Sequence, residues 1–178
     1  IEIGMNAPGE IAPLARMAQP DVAVVTTVAP AHLEAFGVIE GIAHEKASIY
    51  EGLAPGGIAL AHADIETAQI LLDKARAVGA RLVSFGVAET ADIRLTDLRA
   101  SDGGSSARAL IRGEALVYRL PVPGQHNAMN GLIALAVCDA LGADLAEAAM
   151  ALAAWVPVSG RGTRERLDLG GAGDLMIE

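Results

Sequence analysis

The stretch "DVAVVTTVAPAHLEAFGVIEGIAHEKASIY" (residues 21–50) decides the fold. Its first eight residues, "DVAVVTTV", form a continuous apolar run rich in β-branched side chains. No polar residue alternates through 22–25, so the run predicts a strand covered on both faces, not one side of an exposed hairpin. Residues 38–53 then follow a helical period. Beyond them "GGIALAHAD" supplies a strand at 57–61, "IETAQILLDKARAVG" a helix ending near Gly79, and "RLVSFG" a further strand. Strand, helix, strand, helix, strand at these lengths predicts parallel βαβ units with right-handed crossovers.

The rhythm changes after residue 90. "DIRLTDLRA", "SARALI" and "ALVYRLPV" alternate with period two and are separated by Gly, Ser or Gly-Glu, with "DGGSS" as a turn. They predict a small antiparallel sheet over about 91–120. A helical pattern resumes from about Asn127 to Leu141, is closed by Gly142, and is followed by a second helix over 143–155. "VPVSGRGTRE" reads as a loop, and "RERLDLGG" and "DLMIE" as two last strands. The expectation is an α/β fold: a mostly parallel sheet flanked by helices, with its core in about 1–87 and 121–178, and a small antiparallel subsheet.

Composition narrows the classes. The chain has 178 residues, 52% of them apolar and 20% charged, which excludes a disordered polymer. Aromatic residues make up only 3%, so Ala, Val, Leu and Ile must build the core. The net charge of -9 and the lack of any Lys/Arg run argue against nucleic acid as a partner. A phosphorylated small molecule stays possible where backbone donors, a metal or isolated cations act locally. Cys138 is alone in "GLIALAVCDALG"; burial is its expected role, and a reducing compartment follows. No run of apolar residues is long enough to span a bilayer, and "IEIGMNAPGEI" lacks a signal-peptide layout.

On a helical wheel from Ile39, the residues Ile39, Ile42, Ala43, Ile49, Tyr50 and Leu53 gather on one side with Lys46 near the middle of their arc. Glu40, His44, Glu45, Ser48 and Glu51 fall opposite. Lys46 is either a snorkelling side chain whose stem covers apolar surface, or an amine reaching into a site where it is paired or modified. His32 follows the first strand, at the edge where open α/β sheets place ligand chemistry. It is either a hydrogen-bonded structural histidine or a ligand. Glu2, in "IEIG" before the turn "NAPGEI", reads as a carboxylate at a strand end facing a cleft. One carboxylate, one imidazole and one lysine make a divalent-metal shell only if the lysine acquires an acidic group. Asn127 alone would read as a helix N-cap and Arg161 as a loop arginine.

"EIGMNAPGEI", "TTVAPAHLEAFG", "HEKASIYEGLAPGG", "VPGQHNAMNGLIALAV" and "VSGRGTRE" occur in an order and spacing that resemble the Mur ligases. The likeness spans residues 1–178 as that family's P-loop-like central ATP-binding domain, and favours the members that add D-alanyl-D-alanine to UDP-MurNAc-tripeptide in peptidoglycan precursor synthesis. The resemblance implies a cytoplasmic, monomeric, ATP-dependent carbon–nitrogen ligase acting through an acyl phosphate, with ATP and Mg2+ as cofactors. It implies that Glu2, His32 and Lys46 hold the metal, with Lys46 carbamylated by CO2. It also implies that Asn127 and Asn130 meet adenine and that Arg161 approaches the ATP phosphates. His126 is expected to be structural or near the nucleotide, and Arg164 and Arg166 are nearby cations with weaker claims than Arg161. Glu34 and Glu40 either help order the His32 loop or are plain surface glutamates.

The Gly-rich phosphate loop, the N-terminal substrate domain and the C-terminal domain of the family have no counterpart in these residues, so the segment alone is expected to be inactive. Ala7, Ser48 and His62 depart from residues common in the family. Another ligase of the superfamily, such as a folylpolyglutamate synthase relative, and a non-catalytic nucleotide-binding relative are the alternatives.

Overall fold

The computed structural model describes all residues except 32, 102, 157–164, 169–173 and 178. Its centre is a six-stranded sheet in the order β1-β2-β3-β4-β5-β6. Strands β1 (Val22–Val25), β2 (Ile58–His62), β3 (Arg81–Gly86) and β4 (Ile93–Ser101) pair in parallel. Strands β5 (Gly104–Ile111) and β6 (Glu114–Leu120) complete it with antiparallel pairings. The helices are α1 (Ile11–Ala18), α2 (Leu33–Phe36), α3 (Ile39–Ala47), α4 (Ala68–Ala77), α5 (Gln125–Ala140) and α6 (Leu145–Ala154). A separate two-stranded antiparallel sheet joins β7 (Glu165–Asp168) to β8 (Asp174–Ile177).

The apolar run at 22–25 is buried on both sides, as its sequence requires. Ala23, Val25, Ala59 and Ala61 face one core with Ile42, Ala43, Ala47 and Leu71 from α3 and α4. Ile58, Leu60 and Phe85 face a second core with Leu132, Leu135 and Ala136 of α5, against which Val22 and Val24 also pack. Small side chains on the first face let α3 and α4 approach closely. The antiparallel half is covered on one face only. Ala107, Ala109, Ile111, Tyr118 and Leu120 point into the α5 core while Arg108, Val117 and Arg119 are exposed, the alternation expected of a half-solvated sheet.

The antiparallel strands are not a detached sheet but extend the parallel one. Phe85 pairs with Ile93 and Gly86 with Arg94, and the junction is locked by Asp92 and Ser84. The Ser84 amide and hydroxyl both donate to Asp92 Oδ2, at 2.8 and 2.6 Å, and the Asp92 amide donates back to Ser84 Oγ at 3.0 Å. The β5–β6 hairpin turns through Arg112 (φ 53°) and Gly113 (φ 82°), a two-residue turn with both angles in the left-handed region.

Three local expectations are corrected. Residues 1–5, which read as a strand end, carry no strand pairing. Ser48, placed on the polar side of the wheel, is buried, because the α-helix ends at Ala47 and the chain tightens into a 3-10 turn over Ser48–Gly52. Cys138 is half-buried, because it falls at the margin of the α5 stripe made by Ala128, Leu132, Leu135 and Ala136. Among the described residues no helix is long and apolar enough to cross a membrane.

Candidate functional site

β1 is the edge strand of the parallel half, and a cleft of about 520 Å³ opens where it ends. Residues 1–5 form one wall, Val24–Thr27 a second, and Ile42 and Lys46 of α3 with Ile49 of the following 3-10 turn a third. Parallel sheets place ligand chemistry at this carboxyl edge. A second depression, of about 440 Å³, lies at the amino end of β2. There Arg16 and Lys74 are already paired with Glu51, so its charges are spent on holding α1 and α4 together.

Lys46 is the unusual member of the cleft. It shares the arc of Ile42 and Ala43, both fully buried, and its stem is half-buried with them. Its Nζ donates to the Thr27 carbonyl at 3.0 Å, just beyond the end of β1. Burial pushes the amine below the usual lysine range, because a desolvated ammonium loses hydration that one carbonyl only partly replaces. A larger fraction of neutral, nucleophilic amine follows.

Glu2 lines the same cleft on an exposed stretch of chain, so the structure brings Glu2 and Lys46 to one place. His32 lies outside the described residues; its neighbour Ala31 lines the cleft. Among the described residues no group of three or more His, Cys, Asp or Glu is placed to hold a metal ion. An unmodified ammonium would repel a cation. The donor chemistry fits Mg2+ only where Lys46 carries an acidic oxygen group beside the Glu2 carboxylate.

Asn127 and Asn130 stand apart, at the amino end of α5, and do not line this cleft. The cap position belongs to Gly124, whose φ of 115° ends the preceding loop, so the helix starts two residues before Asn127. Asn127 is therefore not the N-cap; its side-chain amide reaches back to the Pro123 carbonyl at 2.8 Å. Asn130 and His126 are exposed one turn apart, while Gly131 admits the Tyr118 ring beneath them. Arg161 and Arg164 lie outside the described residues, and of Arg166 only its strand is described. Glu34 and Glu40 are exposed on α2 and α3.

Two carboxylates outside the cleft lining hold its surroundings together through contacts that the sequence pattern does not signal. Asp64, after β2, accepts from the amides of Val87 (2.5 Å) and Ala88 (2.9 Å), tying together the carboxyl ends of β2 and β3. Beside it His62 packs against Phe85 in a tilted arrangement with ring centroids 4.9 Å apart, and burial lowers its pKa against the opposing pull of Asp64. Glu45, placed on the solvent side of the wheel, instead accepts from the amides of Gly9 and Ile11 at 2.8 and 2.9 Å. Partners 34 and 36 positions away leave no local signal.

Comparison with known proteins bears on the fold and the family. UDP-N-acetylmuramoyl-tripeptide--D-alanyl-D-alanine ligase of Escherichia coli is 34% identical over 163 residues, covering 90% of this chain and 35% of the relative. UDP-N-acetylmuramate--L-alanine ligase of Kineococcus radiotolerans is 38% identical over 126 residues, covering 70% of this chain and 26% of the relative. A crystal structure of MurF from Acinetobacter baumannii superposes with a TM-score of 0.87 at 26% identity, over 99% of this chain and 37% of that one. The chain thus spans about a third of the length of the proteins it matches. Residues 1–138 match the family model of the Mur ligase middle domain, and the chain belongs to the Mur ligase family.

Proposed function

We propose that this chain is the central domain of an ATP-dependent amide ligase that adds D-alanyl-D-alanine to UDP-MurNAc-tripeptide. One observation carries the reading: a half-buried lysine amine, lowered in pKa, shares a strand-end cleft with a carboxylate. Carbamate formation needs the neutral amine. Lys46 Nζ attacks CO2, a C–N bond forms, and the proton released goes to solvent. One C–O π bond of CO2 opens, and the product places a single negative charge, shared by two oxygens, where an ammonium stood. With the Glu2 carboxylate and the His32 imidazole they would hold Mg2+, which supplies charge neutralisation at phosphate oxygens when bound.

In the reaction proposed, the terminal carboxylate of the tripeptide takes the γ-phosphoryl group of ATP and ADP departs. The dipeptide amine then attacks the acyl phosphate, an amide bond forms, and phosphate leaves. Asn127 and Asn130 would read adenine, since a carboxamide donates and accepts at once. Arg161 would clamp phosphoryl oxygens through its planar fork. Glu2, His32 and Lys46 serve as scaffolding, none of them as a covalent nucleophile. The site would work in the cytoplasm, on a UDP-linked precursor.

The 38% identity to an L-alanine-adding relative supports a second reading of the acceptor. The natural full-length protein, given ATP with either UDP-MurNAc-tripeptide and D-alanyl-D-alanine or UDP-MurNAc and L-alanine, separates the two. Dipeptide ligation is the expected result. Turnover of L-alanine alone would replace the substrate assignment, and no ATP-dependent ligation of either would remove the enzyme reading.

A further inference from the structure

Glu45 and Lys46 are neighbours on α3 and point to different tasks. Lys46 reaches the end of β1, where Nζ meets the Thr27 carbonyl at 3.0 Å. Glu45 reaches the chain that descends from Glu2. Its Oε2 accepts from the Gly9 amide at 2.8 Å and its Oε1 from the Ile11 amide at 2.9 Å. Ile11 opens α1, and the residue at the cap position, Glu10, makes no side-chain capping bond to it. Glu10 instead turns back on the loop, accepting from the amides of Asn6 at 2.7 Å and Ala7 at 3.2 Å. α1 is therefore capped from another helix, by a carboxylate suited to the positive end of its dipole.

We infer that Glu45 is a positioning residue: its carboxylate clamps the 6–11 loop to α3 and so sets the separation of Glu2 from Lys46. This rests on the metal-site reading above. Residues 1–5 carry no strand pairing, so no sheet hydrogen bonds fix Glu2. What anchors its segment on the downstream side is the two-bond clamp on the residue next to Lys46, together with buried Ile11, which also lines the cleft. A carboxylate accepting two main-chain N–H groups gives short, charge-assisted bonds with a fixed geometry.

The test uses the natural full-length protein and Mn2+ as the probe, titrated by electron paramagnetic resonance, so that the readout is binding and not turnover. Glu45→Ala should weaken Mn2+ binding about 10-fold, the scale found when groups that orient metal ligands are removed. Glu45→Gln keeps one acceptor oxygen and should fall between. Amide exchange at Gly9 and Ile11 should speed up in both. Asp144→Ala is the matched control: Asp144 caps α6 through the amides of Ala146 (2.7 Å) and Glu147 (3.0 Å), away from the cleft. It should lower the melting temperature by a similar amount and leave Mn2+ binding unchanged. Unaltered Mn2+ affinity in Glu45→Ala, or an equal loss in Asp144→Ala, overturns the inference. Glu2→Gln and Lys46→Met separate the two levels. If they weaken Mn2+ binding while Glu45→Ala does not, the positioning role alone fails; if they too change nothing, the metal-site reading fails with it.

Discussion

Gly52→Ala tests how tightly α1 is seated against the 3-10 turn below the cleft. A Cβ at this position would lie 2.1 Å from the Ala15 carbonyl carbon and 2.2 Å from its oxygen, where ordinary contact begins at 3.4 Å. The obstacle is helix backbone, which cannot rotate away, so α1 must move bodily by about 1.3 Å. Overpacking of this kind costs about 3 kcal/mol at the upper end of its usual range. The stiffer unfolded chain returns about 0.5–1 kcal/mol. The steric term wins, leaving a net loss of about 2 kcal/mol, or roughly 4–8 °C in melting temperature for a domain of this size. Gly4→Ala, with nothing within 4 Å of the added carbon, is the control and should melt at or above the parent. Urea and thermal unfolding read both. Because Ile11 at the start of α1 lines the cleft, the shift should also speed amide exchange at Gly9 and Ile11. A Gly52→Ala variant melting within 1 °C of the parent, with unchanged exchange, would refute the packing described.

Other variants probe the charges. Lys46→Met keeps the aliphatic stem and removes the amine, so folding stability should stay within about 1 kcal/mol of the parent while ligation by the full-length protein is lost; retained bicarbonate-dependent turnover would contradict the role given to the amine. Glu51 receives a hydrogen bond from Lys74 and is flanked by Arg16, and together these hold its carboxyl below the usual range. Its contribution is complete above the unfolded-state value of about 4.3 and is lost as pH falls through the lower folded value. Glu51→Gln should therefore flatten the acid limb of the stability curve, and an unchanged limb in equilibrium unfolding would rule the linkage out.

What the sequence revealed was local. The apolar run at 22–25 reads as a strand covered on both faces, and two cores meet its alternate residues. Lys46 stood out because a charge in an apolar arc demands a partner, and the alternation in 93–120 announced antiparallel strands. What stayed hidden was contact across distance. The fusion of the two sheet halves rests on two residue pairs and the Ser84–Asp92 lock, which no periodicity encodes. Glu45 looked solvated because the wheel describes one helix, whereas its partners are main-chain amides of a loop. The start of α5 was misplaced by two residues because Asn127 suits a cap so well, while a glycine with no side chain holds that position.

The most direct test of the central claim is carbon-13 NMR of the protein equilibrated with 13C-bicarbonate after labelling its lysines with 15N at Nζ. Residues 1–178 hold two lysines, Lys46 and Lys74, so a 13C–15N-coupled resonance from this segment can be assigned by substitution. A coupled signal present in the parent and in Lys74→Arg, and missing in Lys46→Arg, is the result expected. No coupled signal at saturating bicarbonate, or one that survives Lys46→Arg, would contradict it.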